Sequence, residues 1–197
     1  MLNTGFYLRS ADIVAKELLG KLLVHFTEKG NMSGIIVETE AYTGAEDAAS
    51  HAYRNLRTGR TEVMYANGGC AYIYLIYGMY NCLNVVANIE NKPEAVLIRA
   101  LQPLDGVELM KANRGSKPNI KVTDLCNGPG KLCKALGIDR KLNGISLTGD
   151  ELFIVDHMSV KEKDIKISPR VNIDYAGEAK DYMLRYYLSD NKHVSRT

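Results

Sequence analysis

Five runs rich in β-branched and aromatic residues, at 21–26, 33–39, 71–76, 81–87 and 95–100, constrain this chain more than any other feature. Each is bounded by turn-forming residues, and together they predict a multi-stranded sheet. Helical signals are sparser. Ser10, an apolar face over 11–19 and then Gly20 read as a short helix with an N-cap and a terminal glycine; 105–113 and 130–136, the second closed by Gly137, fit two more. Segments 151–155 and 168–173 fit late strands. A doubly wound sheet needs regular alternation of strand and helix, so the expected class is α+β, with a mixed, mostly antiparallel curved sheet and surrounding helices. The chain has 197 residues, 46% of them apolar, only five prolines and no internal repeat, so a single compact domain over 1–197 is expected.

The formal net charge of +2 neither demands a polyanionic partner nor excludes one. Its distribution is less even. Lys111, Arg114, Lys117, Lys121, Lys131, Lys134, Arg140 and Lys141 face only Asp124 and Asp139 within one stretch, and Arg54, Arg57 and Arg60 form a second basic cluster. Charge alone leaves two readings open, a solvated face and a phosphate-facing surface. Cysteines at 70, 82, 126 and 133 form no C-x-x-C pair, and the four histidines have no metal-ligand spacing, so neither a metal nor a cofactor is expected. No apolar run approaches membrane-spanning length and the N-terminus opens no signal-peptide pattern; free thiols in a reducing cytoplasm are the economical expectation.

Two constellations can carry chemistry. In Val37-Glu38-Thr39-Glu40-Ala41-Tyr42, strand alternation puts Glu38, Glu40 and Tyr42 on one face and Val37, Thr39 and Ala41 on the other. Such a row is either a solvated edge-strand face or an active-site face in which Glu40 acts as a general base. In the second, Tyr72 and Tyr74 share a strand face, and Tyr77-Gly78-Met79-Tyr80 reads as a turn that thrusts large side chains outward. Core packing explains Ile73, Leu75 and Ile76 but not a tyrosine-rich tip, for which a wedge or stacking platform for bases is the sharper reading. Arg99 ends an apolar strand and must pair with an acid, Glu40 being a candidate, or with an anion. Asn127-Gly128-Pro129-Gly130-Lys131 reads as a helix-start turn; it lacks the ending of a P-loop.

Taken in order, four blocks resemble the 3-methyladenine DNA glycosylase family of the alkyladenine type. They are Val37–Tyr42 with His51 downstream, Tyr74-Leu75-Ile76-Tyr77-Gly78-Met79-Tyr80 with Asn84 downstream, Leu97-Ile98-Arg99-Ala100-Leu101, and Gly128-Pro129-Gly130-Lys131-Leu132-Cys133. The resemblance implies a monofunctional glycosylase that hydrolyses the bond between an alkylated or deaminated purine and its sugar, without strand cleavage. By matching position, Glu40 would activate water, while Arg99 and the backbone carbonyl near Leu188 would help hold it. Tyr42, His51 and Tyr74 would enclose the flipped base, Tyr72 would support His51, and Asn84 would stand where the exocyclic amine of guanine must fit. Tyr77 would fill the gap in the duplex, with Met79 and Tyr80 beside it in the minor groove and Thr58 near the DNA. Arg54, Arg57, Arg60, Lys131, Arg170 and Arg185 are assigned to phosphates. The implied partner is double-stranded DNA containing damaged purines, bound by a monomer, with no membrane and no cofactor.

The chemistry is coherent with these roles. Alkylation of a ring nitrogen makes the purine cationic, and tyrosine faces favour such a cation by roughly 0.5–2 kcal/mol. An oxocarbenium-like sugar is stabilised by an adjacent carboxylate that also takes a proton from water. Two other classes compete: a non-catalytic nucleic-acid-binding module using the same tyrosine tip, and a metal-dependent hydrolase built on Glu38, Glu40, Asp47 and His51.

Overall fold

The computed structural model describes residues 1–115 and 120–196; Lys117 of the basic stretch lies outside them. Eight strands form one curled sheet: β1 (Leu22–Thr27), β2 (Gly30–Tyr42), β3 (Ala71–Ile76), β4 (Tyr80–Ala87), β5 (Glu94–Asp105), β6 (Leu152–Val155), β7 (Ile165–Ser168) and β8 (Arg185–Leu188). The main path runs β3-β4-β5-β2-β1-β6, and β8 joins β2 and carries β7. Every described strand pairing is antiparallel.

The first five strands lie where the β-branched runs place them, because their alternate residues are the core. Among the described residues four α-helices accompany the sheet: α1 (Thr4–Tyr7), α2 (Ala11–Glu17), α3 (Val107–Arg114) and α4 (Pro129–Leu136). Leu83, Val85, Val96, Ile98 and Leu101 from β4 and β5 pack in one buried cluster with Val14 and Leu18 from the α2 region and Leu132 and Leu136 from α4. Ser10 sits at the N-cap of α2, yet its side chain makes no capping bond. Instead the Ala11 N–H donates to the Glu94 carboxylate of β5 at 2.7 Å, so a long-range acid satisfies an orphan donor of the helix start.

Two late elements differ from expectation. The strand is Ile165–Ser168, not 168–173, because Pro169 cannot continue the ladder; beyond it the chain turns inward. The partner of that strand, β8, is a short Arg-Tyr-Tyr-Leu segment with no clear alternation of apolar and polar residues. Along β2 and β5 the register shifts at Ile36/Glu38 and at Glu38/Thr39, leaving Val37 and Arg99 without partners in the ladder. Such bulges bend a strand and re-aim its side chains, and these lie at the site described next.

Candidate active site

Glu38, Glu40 and Tyr42 project from one face of β2, as strand alternation predicts. Thr39 and Ala41 face the core, where the Thr39 hydroxyl donates to the Ala15 carbonyl of α2 at 2.8 Å. Val37 does not follow them. The bulge turns it away from the main core to pack with Ile35, Ala100 and Val194.

The two carboxylates are fully buried and are joined by one arginine. Arg99 donates through Nε to Glu38 at 3.0 Å, and its Nη1 lies 3.3 Å from Glu40 Oε2. Burial works against the Arg99 charge, but Glu40 and Glu38 outweigh it and hold the guanidinium above its usual pKa. Glu38 also accepts from Arg185 Nε at 2.8 Å, from the Ser195 N–H at 2.6 Å and from the Ser195 hydroxyl at 2.9 Å. Glu40 has a different set. Oε2 accepts from the Tyr42 hydroxyl at 2.9 Å, and Oε1 accepts from the Val171 N–H at 2.7 Å. Burial first, and then the Glu40 charge, hold the Tyr42 phenol well above its ordinary pKa, so it stays protonated and donating.

Tyr42, the partner of Glu40, is also a wall of an aromatic pocket, together with His51, Tyr72, Tyr74, Asn84 and Tyr175. His51 meets the Tyr74 ring edge-on at 4.6 Å between centroids and 78° between planes, and its Nδ1 lies 2.9 Å from the Tyr72 hydroxyl. Burial, followed by the charge of Arg60, lowers the His51 pKa to about 4, so the imidazole is neutral at physiological pH. Arg60 Nη2 lies 3.2 Å from His51 Nε2; arginine only donates, so Nε2 accepts and Nδ1 carries the proton toward Tyr72. The Asn84 amide donates to the Tyr72 carbonyl at 3.0 Å, which fixes its orientation in the wall.

A broader cleft shares Tyr42, His51, Tyr74 and Tyr175 with this pocket and adds Arg99, Lys131, Tyr77 and Tyr80. Its rim is the β3–β4 hairpin, where Tyr77 is 76% exposed, Met79 66% and Tyr80 48%. Tyr77 and Gly78 have φ of 52° and 70°, and the Met79 N–H closes the turn on the Ile76 carbonyl at 3.2 Å. Glycine or asparagine takes that conformation readily, whereas a tyrosine does so at a cost of about 1–2 kcal/mol. The start of α4 lies against this hairpin. A Cβ at Gly130 would meet Tyr80 Cβ at 3.1 Å, which explains the glycine in the Gly-Pro-Gly-Lys block. Lys131 stays exposed in the cleft with its Nζ 2.7 Å from the Asn127 amide oxygen.

The structure therefore brings Arg99, Tyr42, His51, Tyr72, Tyr74, Asn84, Tyr77, Tyr80 and Lys131 around one cleft and its inner pocket, with Met79 on the same tip, while Glu40 is fully buried and reaches that lining through Tyr42 and Arg99. Other residues assigned to DNA lie elsewhere. Arg185 is buried on Glu38, Ser168 and the Arg196 carbonyl, not presented to solvent. Arg170 is also buried: it pairs with Asp47, with Nη2 2.8 Å from Oδ1, and stacks on the Tyr42 ring at 4.8 Å. Thr58 sits on an exposed turn outside the cleft lining, its N–H donating to Thr61 Oγ1 at 2.9 Å. Leu188 pairs with Ile165 in the sheet; the backbone that meets Glu40 is that of Val171. No periodicity marks Val171, because its contact is through the main chain. Among the described residues there is no cluster of three or more His, Cys, Asp or Glu side chains able to hold a metal, and no helix long and apolar enough to cross a membrane.

An aromatic pocket thus adjoins a buried carboxylate, with Tyr42 both walling the pocket and donating to Glu40. The chain belongs to the methylpurine-DNA glycosylase family, whose profile matches residues 5–192. It is 50% identical to a protein of Desulfitobacterium hafniense (strain Y51), with 98% of each chain covered. It is 47% identical to one of Clostridium novyi (strain NT), over 99% of this chain and 98% of the relative. A Clostridioides difficile (strain 630) protein is also 47% identical, over 95% of this chain and all of its own. All three bear the name "Putative 3-methyladenine DNA glycosylase".

Proposed function

We propose that this chain is a monofunctional DNA glycosylase that flips alkylated or deaminated purines, such as 3-methyladenine and hypoxanthine, out of duplex DNA and hydrolyses the N-glycosidic bond. It would act as a monomer in the cytoplasm and begin base excision repair. The observation that carries this reading is the setting of Glu40. Its buried carboxylate is held by the Tyr42 hydroxyl and Arg99, both of which line the cleft, and by the Val171 N–H, so a base is fixed directly behind the aromatic walls.

As the glycosidic bond breaks, the sugar gains positive charge, and Glu40 opposes that charge while taking a proton from the attacking water. Arg99 holds the two carboxylates in place. Tyr42 and Tyr74 offer electron-rich faces to a cationic purine, and a neutral His51 does not repel it. Tyr77 fills the space the base leaves, offsetting lost stacking of a few kcal/mol. Among the described residues no lysine bonds to Glu40, and Lys131 of the cleft is taken by the Asn127 amide oxygen, so no Schiff base is assigned and the strand should stay intact.

Chromatography of free base released from alkylated and hypoxanthine-containing duplexes tests the reading. Glu40→Gln should reduce release by about 10²–10⁴-fold, the usual contribution of a general base, while binding of the damaged duplex changes little. Unaltered release by the variant would sink the assignment of Glu40.

A further inference from the structure

The three arginines of the 54–60 segment have different fates. Arg54 stacks on its neighbour Tyr53 at 5.1 Å, and Arg57 is tied to Glu62 by bonds of 3.0 and 2.6 Å while covering Tyr65 at 4.7 Å. Arg60 has no carboxylate partner among the described residues and turns inward. Its guanidinium carbon lies 4.9 Å over the Tyr74 ring, and its Nη2 is 3.2 Å from His51 Nε2. Both groups are walls of the aromatic pocket.

A guanidinium is a flat cation with N–H groups at its edge, and an N-alkylated purine presents the same features. We propose that Arg60 is an internal occupant of the base site: in the free protein it holds the Tyr74 face and the His51 ring nitrogen, and a flipped purine enters by displacing it. The inference rests on the glycosylase reading above. Residues 54–60, Arg60 among them, are exposed, so the guanidinium can leave the pocket wall without uncovering buried core. Burial first, and the Arg60 charge after it, keep His51 neutral, and the Arg60 contact at Nε2 leaves the proton on Nδ1. The cost of displacement is common to every purine, so Arg60 does not rank lesions. It lowers capture of all bases, and undamaged purines, being far more numerous, are the ones that matter most.

The sign of the Arg60→Ala effect separates this role from a phosphate contact. Single-turnover release from 3-methyladenine and hypoxanthine duplexes should become about fivefold faster, by the same factor for both, the order expected for one cation–π contact and one hydrogen bond removed. Methylguanidinium at millimolar concentration should slow the variant back toward the wild-type rate and leave the wild type unaffected. In the free protein, the His51 ring resonances should titrate at higher pH in the variant, a readout that needs no activity. Release by the wild type with an equal or slower variant rate, or an unmoved His51 titration, overturns the proposal and leaves the glycosylase reading standing. No release by either protein removes that reading and this proposal with it.

Discussion

The Glu38–Glu40 network and the β3–β4 tip lie along one cleft and follow opposite rules. In the first, two fully buried carboxylates are held by Arg99, Arg185, Tyr42 and the N–H groups of Val171 and Ser195. Charges are tolerated there only because their partners are complete and fixed beforehand. In the second, Tyr77, Met79 and Tyr80 stand in water on a turn whose first residue has a left-handed backbone. Strain and exposed apolar surface together at the tip are what the proposed function expects of a surface that DNA covers. On the proposed function the contrast separates chemistry from capture: electrostatic preorganisation is stored in the fold, whereas the wedge would be completed by DNA.

Substitutions should divide along the same line. The largest stability effect is expected for Glu38→Ala, which leaves Arg99 and Arg185 buried without their shared acceptor. Losing one partner of a buried ion pair costs about 3–5 kcal/mol, so the melting temperature should fall by roughly 6–20 °C. A drop of only a degree or two would mean the network is not the rigid part of the site.

Tyr77→Asn should do the reverse. Asn-Gly suits this turn, so the melting temperature should rise by up to about 2–4 °C through relief of about 1 kcal/mol of strain. Retention of a lesion duplex should meanwhile weaken by roughly tenfold, the value of one lost stack, with loss of the fluorescence change of a flipped base analogue. A variant that is no more stable and binds normally would remove the wedge.

The last effect is a pH slope. The folded His51 pKa of about 4 lies below its ordinary 6.5, so between those values the unfolded chain holds a proton that the folded chain excludes. Stability therefore falls as pH drops through that window. His193 is lowered too, by burial, and adds to the slope, so His51→Gln should flatten only part of it in thermal melts. An unaltered slope in that variant would show that the pocket does not keep His51 neutral.

How much of this was legible follows from what each residue does. Strands β1–β5 are apolar runs whose alternate residues make the core, and their positions can be read directly. The shared face of Glu38, Glu40 and Tyr42 follows from alternation, and the pairing of Arg99 from its place in a buried strand. The bulge at Val37 cannot be read, because it is a backbone event that leaves composition unchanged. Arg170 and Arg185 are misjudged because a lone arginine looks like surface until its acid is placed beside it from far along the chain. Val171 acts through its main-chain N–H, which carries no residue-type signal, and Ser195, which donates through both N–H and hydroxyl, lies far along the chain from Glu38. Arg60 does sit in a recognisable basic cluster, but only the geometry separates it from Arg54 and Arg57.

The most direct test of the central claim is to incubate the wild-type protein with a duplex carrying one hypoxanthine or 3-methyladenine and follow free base and strand length together. Free base should accumulate while the strand stays whole until alkali cleaves the abasic site. A duplex bound without base release, or a strand cut in step with release, would contradict hydrolysis by a Glu40-activated water.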